Sequence, residues 1–173
     1  MTEQSTLWFT RVSGGRVNQR ASDLLAALTS LATTSGSRLD RLRSAAALLR
    51  DSGRYRWVGL YDVDRRGGKV VNIVWDGPGA PEFPEFPTTK GLTGSAIAER
   101  KTVNVGDVSV DPRYLTAFGT TRSEIIVPIV NQDAIVVGTI DIESENPNAF
   151  DEATERLLEQ CAHVLRLLWS GQA

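Results

Sequence analysis

Residues 123–130 read SEIIVPIV and residues 134–143 read AIVVGTIDIE, two runs whose β-branched content marks them as strands. Successive side chains in a strand point to opposite faces. One face therefore carries Ile125, Val127 and Ile129 with Val136, Gly138, Ile140 and Ile142, an apolar surface suited to packing against helices. The other face carries Glu124 beside Ile126 and Pro128, and Thr139, Asp141 and Glu143 beside Ile135 and Val137. Three carboxylates gathered near one end of a sheet repel one another and raise one another's pKa, so they persist at low cost only in water or facing a cation. The plainer reading is a solvated rim. The sharper one, preferred here, is a pocket for a small cationic or amine-bearing ligand.

Bulk properties narrow the alternatives. With 173 residues the chain is long enough for one domain with a real core and too short for two of ordinary size. Nineteen basic against twenty-one acidic residues leave a net charge of -2, which offers no electrostatic case for nucleic acid or an anionic membrane surface. Arginines at 38, 41, 43, 50, 54, 56, 65 and 66 cluster in sequence but alternate with apolar residues, the pattern of a solvated face. No apolar run approaches the roughly 20 residues that span a bilayer, and MTEQST is not a signal peptide, so a cytoplasmic location is expected. One cysteine, Cys161, rules out an internal disulfide or a multi-thiolate zinc site within this sequence, and one histidine, His163, rules out a His-rich metal centre.

Working outward from the two strands, residues 147–169 form a terminal helix in which Leu157, Cys161, Val164, Leu165 and Leu168 recur at helical spacing, with acids in the first turn and Arg166 near the end. Upstream, residues 1–20 have no sustained period beyond the apolar knot Leu7, Trp8 and Phe9, and are read as an N-terminal extension to a single domain over 21–173. Ser22 is the expected N-cap of a helix carrying Leu24, Leu25, Leu28 and Leu31. A second helix over 38–50 buries Leu39, Leu42, Ala46 and Leu49, and Gly53 supplies its stop. YRWVGLYDV and KVVNIVWD, joined by DRRGG, read as a β-hairpin over 54–76 with Tyr55, Trp57, Gly59 and Tyr61 on one face. Four prolines within residues 77–90 exclude a central strand there, and the segment is expected to be a loop serving as lid or wall. GLTGSAIAERK is a glycine-bracketed turn opening a short helix; it matches neither the Walker pattern nor the dinucleotide fingerprint. TVNV is a short strand, and DPRYLTAFGTT begins with a turn signal and has room for one helical turn. This order predicts an α+β domain, an antiparallel sheet with helices on one face and a loop-covered ligand pocket on the other.

Cys161 lies on an apolar helical stripe, where a thiol is an inert small hydrophobe, and His163 two positions later falls on a different helix face. Ser123 and Ser144 lie near acids, but no histidine can be placed beside them, so a serine-hydrolase triad is unsupported. Oxygen ligands from Glu124, Asp141 and Glu143 would suit magnesium or calcium, yet the reading adopted carries no metal and no cofactor. Trp57 and Tyr61 share a strand face, and if the hairpin joins the acid-bearing strands in one sheet they can wall the same cavity. For either aromatic alone, plain core packing is the better reading. Together with three acids they make a receptor for an ammonium group through cation–π attraction and charge-assisted hydrogen bonds.

RWVGLY, GLTGSAIAERK, RSEIIVPIV, GTIDIES and AFDEATERLLE, in this order and spacing over about residues 38–169, resemble a GAF domain, and more narrowly the GAF-type free methionine-(R)-sulfoxide reductases. That resemblance implies a pocket for the amino acid sulfoxide lined at Trp57, Tyr61, Glu124, Asp141 and Glu143. It also implies catalytic thiols, which the matching positions lack: the cysteine of the glycine-bracketed turn falls at Thr93, that of the preceding loop at about Phe83, and that before the SEI strand at about Ala117. Attack on a sulfoxide and resolution by disulfide exchange need thiolates. The sequence is therefore read as a stand-alone small-molecule sensor or regulatory module binding an amino acid or derivative, with no catalytic residue and no thiol-dependent reductase activity. Two alternatives stand beside it: an enzyme using the same acids for non-thiol acid/base chemistry, and a ligand-free dimerisation module. A homodimer is the default for a domain ending in apolar helices, and any signalling output is expected to pass through a separate partner protein.

Overall fold

The sheet is built around the two acid-bearing strands. In the computed structural model, which describes residues 4–116 and 118–169 and, within the first helix, side chains from residue 19 onward, the elements follow in this order. Helices α1 (Gln4–Thr33) and α2 (Arg38–Gly53) precede the hairpin strands β1 (Trp57–Asp64) and β2 (Lys69–Asp76) and the short β3 (Glu85–Pro87). Then come α3 (Gly91–Glu99), β4 (Val103–Val105), β5 (Ser123–Val130), β6 (Val136–Ser144) and α4 (Glu152–Leu165). Short 3₁₀ turns lie at Val108–Val110 and Arg166–Trp169. The strands form one antiparallel sheet of order β3-β2-β1-β6-β5-β4.

The apolar strand face anticipated from the alternation is the core. Ile125, Val127, Ile129, Ile140 and Ile142 join Val58 and Leu60 of β1 and are covered by Leu24 and Leu28 of α1, Leu42, Ala46 and Leu49 of α2, and Leu158, Cys161 and Leu165 of α4. The acid-bearing face is covered instead by α3 and by the loops around it: Leu92 and Ala96 pack on Ile126 and Val103 in a second, smaller cluster. One helix thus lies on the pocket side of the sheet. Its entry needs glycine twice, because Gly91 has φ +74° and a Cβ on Gly94 would lie 2.6 Å from the Thr89 backbone.

Several local expectations are corrected. Helix α1 runs unbroken from Gln4, so Ser22 is an interior residue and not its N-cap; the side chains of Leu7, Trp8 and Phe9, and Ala117 altogether, lie outside the described residues. Helix α2 continues through Gly53 and stops at Arg54, whose left-handed backbone (φ 53°) turns its N–H back to the carbonyls of Arg50 and Asp51. The proline-rich segment 77–90 is not wholly loop. Its residues 85–87 pair with β2 as an edge strand, a place where a missing proline donor breaks no ladder. The described residues of 111–121 carry no helical turn.

Arg38 also departs from the solvated face read for the arginines. Its guanidinium pairs with Asp62 at 2.7 Å and lies 5.0 Å from the Trp169 ring, whose indole N–H donates to the same carboxylate at 2.6 Å. This ties the end of the described chain to β1. Trp169 fits because Gly138 lies beneath it: a Cβ there would sit 2.7 Å from the indole and 2.7 Å from the backbone oxygen of Tyr61, which cannot rotate away. Gly138→Val is expected to destabilise the protein by about 1–3 kcal/mol through overpacking. An unchanged urea midpoint would show that the Trp169 anchor is dispensable.

Candidate functional site

Strand β6 is the spine of the site because it has β1 on one side and β5 on the other. Across β1, Glu143 faces Trp57, Asp141 faces Gly59 and Thr139 faces Tyr61; across β5, Glu143 faces Glu124 and Asp141 faces Ile126. Paired residues of an antiparallel ladder share a face. All five side chains singled out in the sequence, Trp57, Tyr61, Glu124, Asp141 and Glu143, therefore meet on one face, away from α1, α2 and α4. Gly59 makes the meeting possible, since a Cβ there would lie 2.2 Å from the Trp57 ring and 2.8 Å from the Tyr61 ring.

The acids are not a solvated rim. Glu124 and Asp141 are each 7% exposed and Glu143 1%, and the three each bring an oxygen within 4.8 Å of the others. Burial is the main cause that pushes all three upward, and the neighbouring carboxylates add to it for Glu124 and Asp141. The close approach of the Glu124 and Asp141 carboxyls raises Glu124 further and partly offsets the rise of Asp141. Glu143 is pushed to about 7 by burial, held back by the hydroxyl of Thr121, which donates to it, and by the charge of Arg56. Asp141 Oδ1 and the hydroxyl of Thr139 are buried without a hydrogen-bond partner. A buried acceptor left unpaired costs about 1–3 kcal/mol, more if charged.

Opposite the acids is an apolar wall. A cavity of about 30 Å³ is lined by Glu124, Asp141 and Glu143 together with Tyr61, Phe83, Phe86, Leu92, Thr93, Leu115 and Pro81. That is more than the roughly 10–15 Å³ a cavity needs to hold one water, so there is room for a small polar group beside the acids. Phe83, 41% exposed, and Pro81 belong to the proline-rich segment, placing it at the cavity mouth. Tyr61 meets Phe86 edge-on at 5.9 Å, and its phenol is pushed far up by burial first and by the acids second. Trp57 stands behind Tyr61 at 6.5 Å, wedged against Phe118 at 5.7 Å, and its indole donates to the Gly79 carbonyl at 3.0 Å. It props the wall and ties the cover to the sheet.

Thr93 and Phe83, the positions matched to thiols by resemblance, both line this cavity, whereas the one matched to Ala117 lies outside the described residues. Cys161 is fully buried in the main core under α4, its thiol pushed up to about 12 by burial. It lies across the sheet from the cavity. His163 is exposed on α4. Thr121, Phe86 and Leu115 were not singled out from the sequence. Thr139 shares the acids' alternation and was readable from it; Thr121 and Leu115 lie in irregular chain, where no period marks a face.

Chemically, the site can accept an ammonium group, shuttle a proton among three carboxyls, or present oxygen donors of the kind a hard divalent cation takes. No helix among the described residues is long and apolar enough to cross a membrane.

Comparison with known proteins adds the lineage. The GAF domain family model matches residues 37–167. GAF domain-containing protein A of Dictyostelium discoideum is 30% identical over 157 residues, 91% of this chain and 95% of that protein. Free methionine-R-sulfoxide reductase of Saccharomyces cerevisiae is 36% identical over 109 residues, 63% of this chain and 60% of its own length. The X-ray structure of free methionine-R-sulfoxide reductase from Neisseria meningitidis in complex with its substrate is similar with a TM-score of 0.79 at 31% identity, over 86% of this chain and 87% of that one.

Proposed function

The chain belongs to the GAF domain family, and from that premise we propose that it binds a small amine-bearing metabolite, an amino acid or derivative, as a sensor or regulatory module without thiol-dependent reductase chemistry. The observation that carries the reading is the buried triad Glu124, Asp141 and Glu143, with Asp141 Oδ1 unpaired, set against Tyr61 and Phe86. An ammonium group would give the unpaired oxygen a donor and stabilise the charged form of the acids that burial disfavours. The support for an amino-acid-sized guest is the likeness to a reductase solved with its substrate. Against reductase chemistry stands the placement of the single thiol, inert in the core, while Thr93 occupies the cavity. A threonine hydroxyl cannot form or exchange a disulfide.

A panel of amino acids, their sulfoxides and simple amines tested by thermal shift and calorimetry decides the matter. A ligand at 100 times its Kd adds about 2.7 kcal/mol of stability. The expected result is stabilisation of the wild type that Asp141→Asn, Glu143→Gln loses by tenfold or more in affinity while staying folded. No response in the wild type would sink the proposal. So would dithiol-dependent conversion of methionine-(R)-sulfoxide to methionine.

One observation favours a second reading. Glu143, pushed to about 7, is poised where a general acid or base works best. Incubating each ligand that binds with the protein and following it by NMR separates the two: loss of the ligand, abolished by Glu143→Gln, makes the protein an acid/base enzyme, and unchanged ligand supports a sensor.

A further inference from the structure

Glu143 is set apart from the other two acids by what reaches it from outside the triad. The hydroxyl of Thr121 donates to Glu143 Oε2, and both residues are buried, Thr121 at 6% exposure and Glu143 at 1%. The backbone N–H of Arg56 donates to the Glu143 carbonyl at 3.1 Å, and the Arg56 guanidinium charge acts on the Glu143 carboxyl. That guanidinium is itself fixed, 2.7 Å from Glu145 and 5.5 Å from the Phe118 ring centre. Asp141 Oδ1, two residues back on the same strand, has no partner.

Thr121 is pinned where it stands. Its own N–H donates to the Phe118 carbonyl at 3.2 Å, the N–H of Arg122 donates to the Ser144 carbonyl at 2.8 Å, and the Arg122 carbonyl receives the N–H of Val108 at 2.9 Å. These bonds lay the loop against β6 at the residue after Glu143. A hydroxyl held there favours the ionised carboxyl over the neutral one, because a hydrogen bond to a charged acceptor is about twice as strong. The remaining titratable groups around the cavity respond to the charge so placed: Glu143 raises Glu124 of β5, Asp141 of β6 and Tyr61 of β1, and Asp111 adds to the rise of Glu124. Among the described residues, α3 and the proline-rich segment bring no charged side chain to the lining.

Resting on the amine reading above, we infer that Thr121 is the positioning residue of the site: its hydroxyl holds Glu143 as the ionised member of the triad and so governs the pH range over which the cavity accepts an ammonium group. Burial disfavours the charged form of all three acids, and a wholly neutral floor gives an ammonium nothing to pair with. One ionised member supplies one charge for one cation. Its own charge then discourages the other two from ionising before the cation arrives.

Full-length Thr121→Val and Thr121→Ser test this beside the wild type. With glutamate labelled at the side-chain carboxyl carbon, and Glu143→Gln identifying the resonance, NMR follows the titration of Glu143 in the ligand-free protein. Thr121→Val is expected to move it upward by about one pH unit, the size of one hydrogen bond to a charged group, and Thr121→Ser to restore it. Calorimetry with methionine and butylamine as probes gives the second readout. The valine variant is expected to bind roughly five- to tenfold more weakly at pH 6–7 and within about twofold of the wild type at pH 8.5. An unchanged Glu143 titration in Thr121→Val would overturn the inference. So would an affinity lowered by the same factor at every pH, which marks a merely structural role. Silence of both probes toward the wild type, with the titration moved as expected, would count against the amine reading and leave the hold of Thr121 on Glu143 standing.

Discussion

The ligand-free protein is expected to lose stability as pH rises from 5 to 8, and the Asp141→Asn, Glu143→Gln variant is expected to lose much less. The sign follows from the direction of the shifts. Glu124, Asp141 and Glu143 have folded-state pKa values above their unfolded ones, so between the two values the folded protein holds more protons than the unfolded chain. Stability then falls with rising pH until the folded groups have ionised. For Glu143, moving from 4.5 to about 7, the loss is on the order of 3 kcal/mol, as each unit is worth about 1.4. In a chain of this size that is about 6–12 °C in Tm. Acids held below their usual range, Asp107, Asp111 and Asp151, act in the opposite sense, but their contribution is complete once they have ionised below pH 5. They do not mask the window. Urea midpoints at pH 5, 6, 7 and 8 measure the slope, and a flat or rising profile in the wild type would mean that the triad ionises freely, as a solvated rim would. A bound amine should flatten the slope by stabilising the ionised form.

Trp57→Ala is expected to cost about 3–5 kcal/mol, the range for deleting a fully buried large aromatic. The indole fills space that two glycines leave open, with virtual Cβ positions of Gly59 and Gly77 at 2.2 and 2.5 Å from its ring. It also holds Gly79 at the root of the cover. Loss of the ring should therefore free the proline-rich segment as well as weaken the fold, so limited proteolysis is expected to cut within residues 77–84 in the variant before the wild type. Trp57→Phe keeps the ring contact with Tyr61 while losing the hydrogen bond, and should retain most of the stability yet share the proteolytic sensitivity. A loss below about 1 kcal/mol in the alanine variant, well under the usual range for such deletions, would show that the wall closes around the void.

Which residues share a face was legible because period two is a property of the backbone itself. Glu124, Asp141 and Glu143 were separated from Ile125, Ile140 and Ile142 by counting, and the apolar set is the helix-covered core. The hairpin was legible from its turn and α4 from its stripe, but the helix starts at Glu152, capped by Asp151, and not at residue 147, and its last turn is 3₁₀. The start of α1 was not legible. The sequence there is of mixed polarity, with no periodic pattern to mark a helix. The stop of α2 was misread because a glycine is the usual signal, while here a non-glycine residue, Arg54, adopts the left-handed conformation.

The sequence by itself determined the composition of the site: three acids on one strand face, two aromatics on another, and no thiol where the family resemblance implies one. Tertiary structure alone decided that β1 lies beside β6, bringing Trp57 opposite Glu143 and Tyr61 opposite Thr139. It also decided that α3 and the proline-rich segment close over the acids, turning a rim into a buried triad around a space of about 30 Å³. The reason is physical. Facing is set residue by residue along the chain, whereas strand neighbours, burial and the charges they impose depend on contacts between segments far apart in sequence, which local periodicity does not encode.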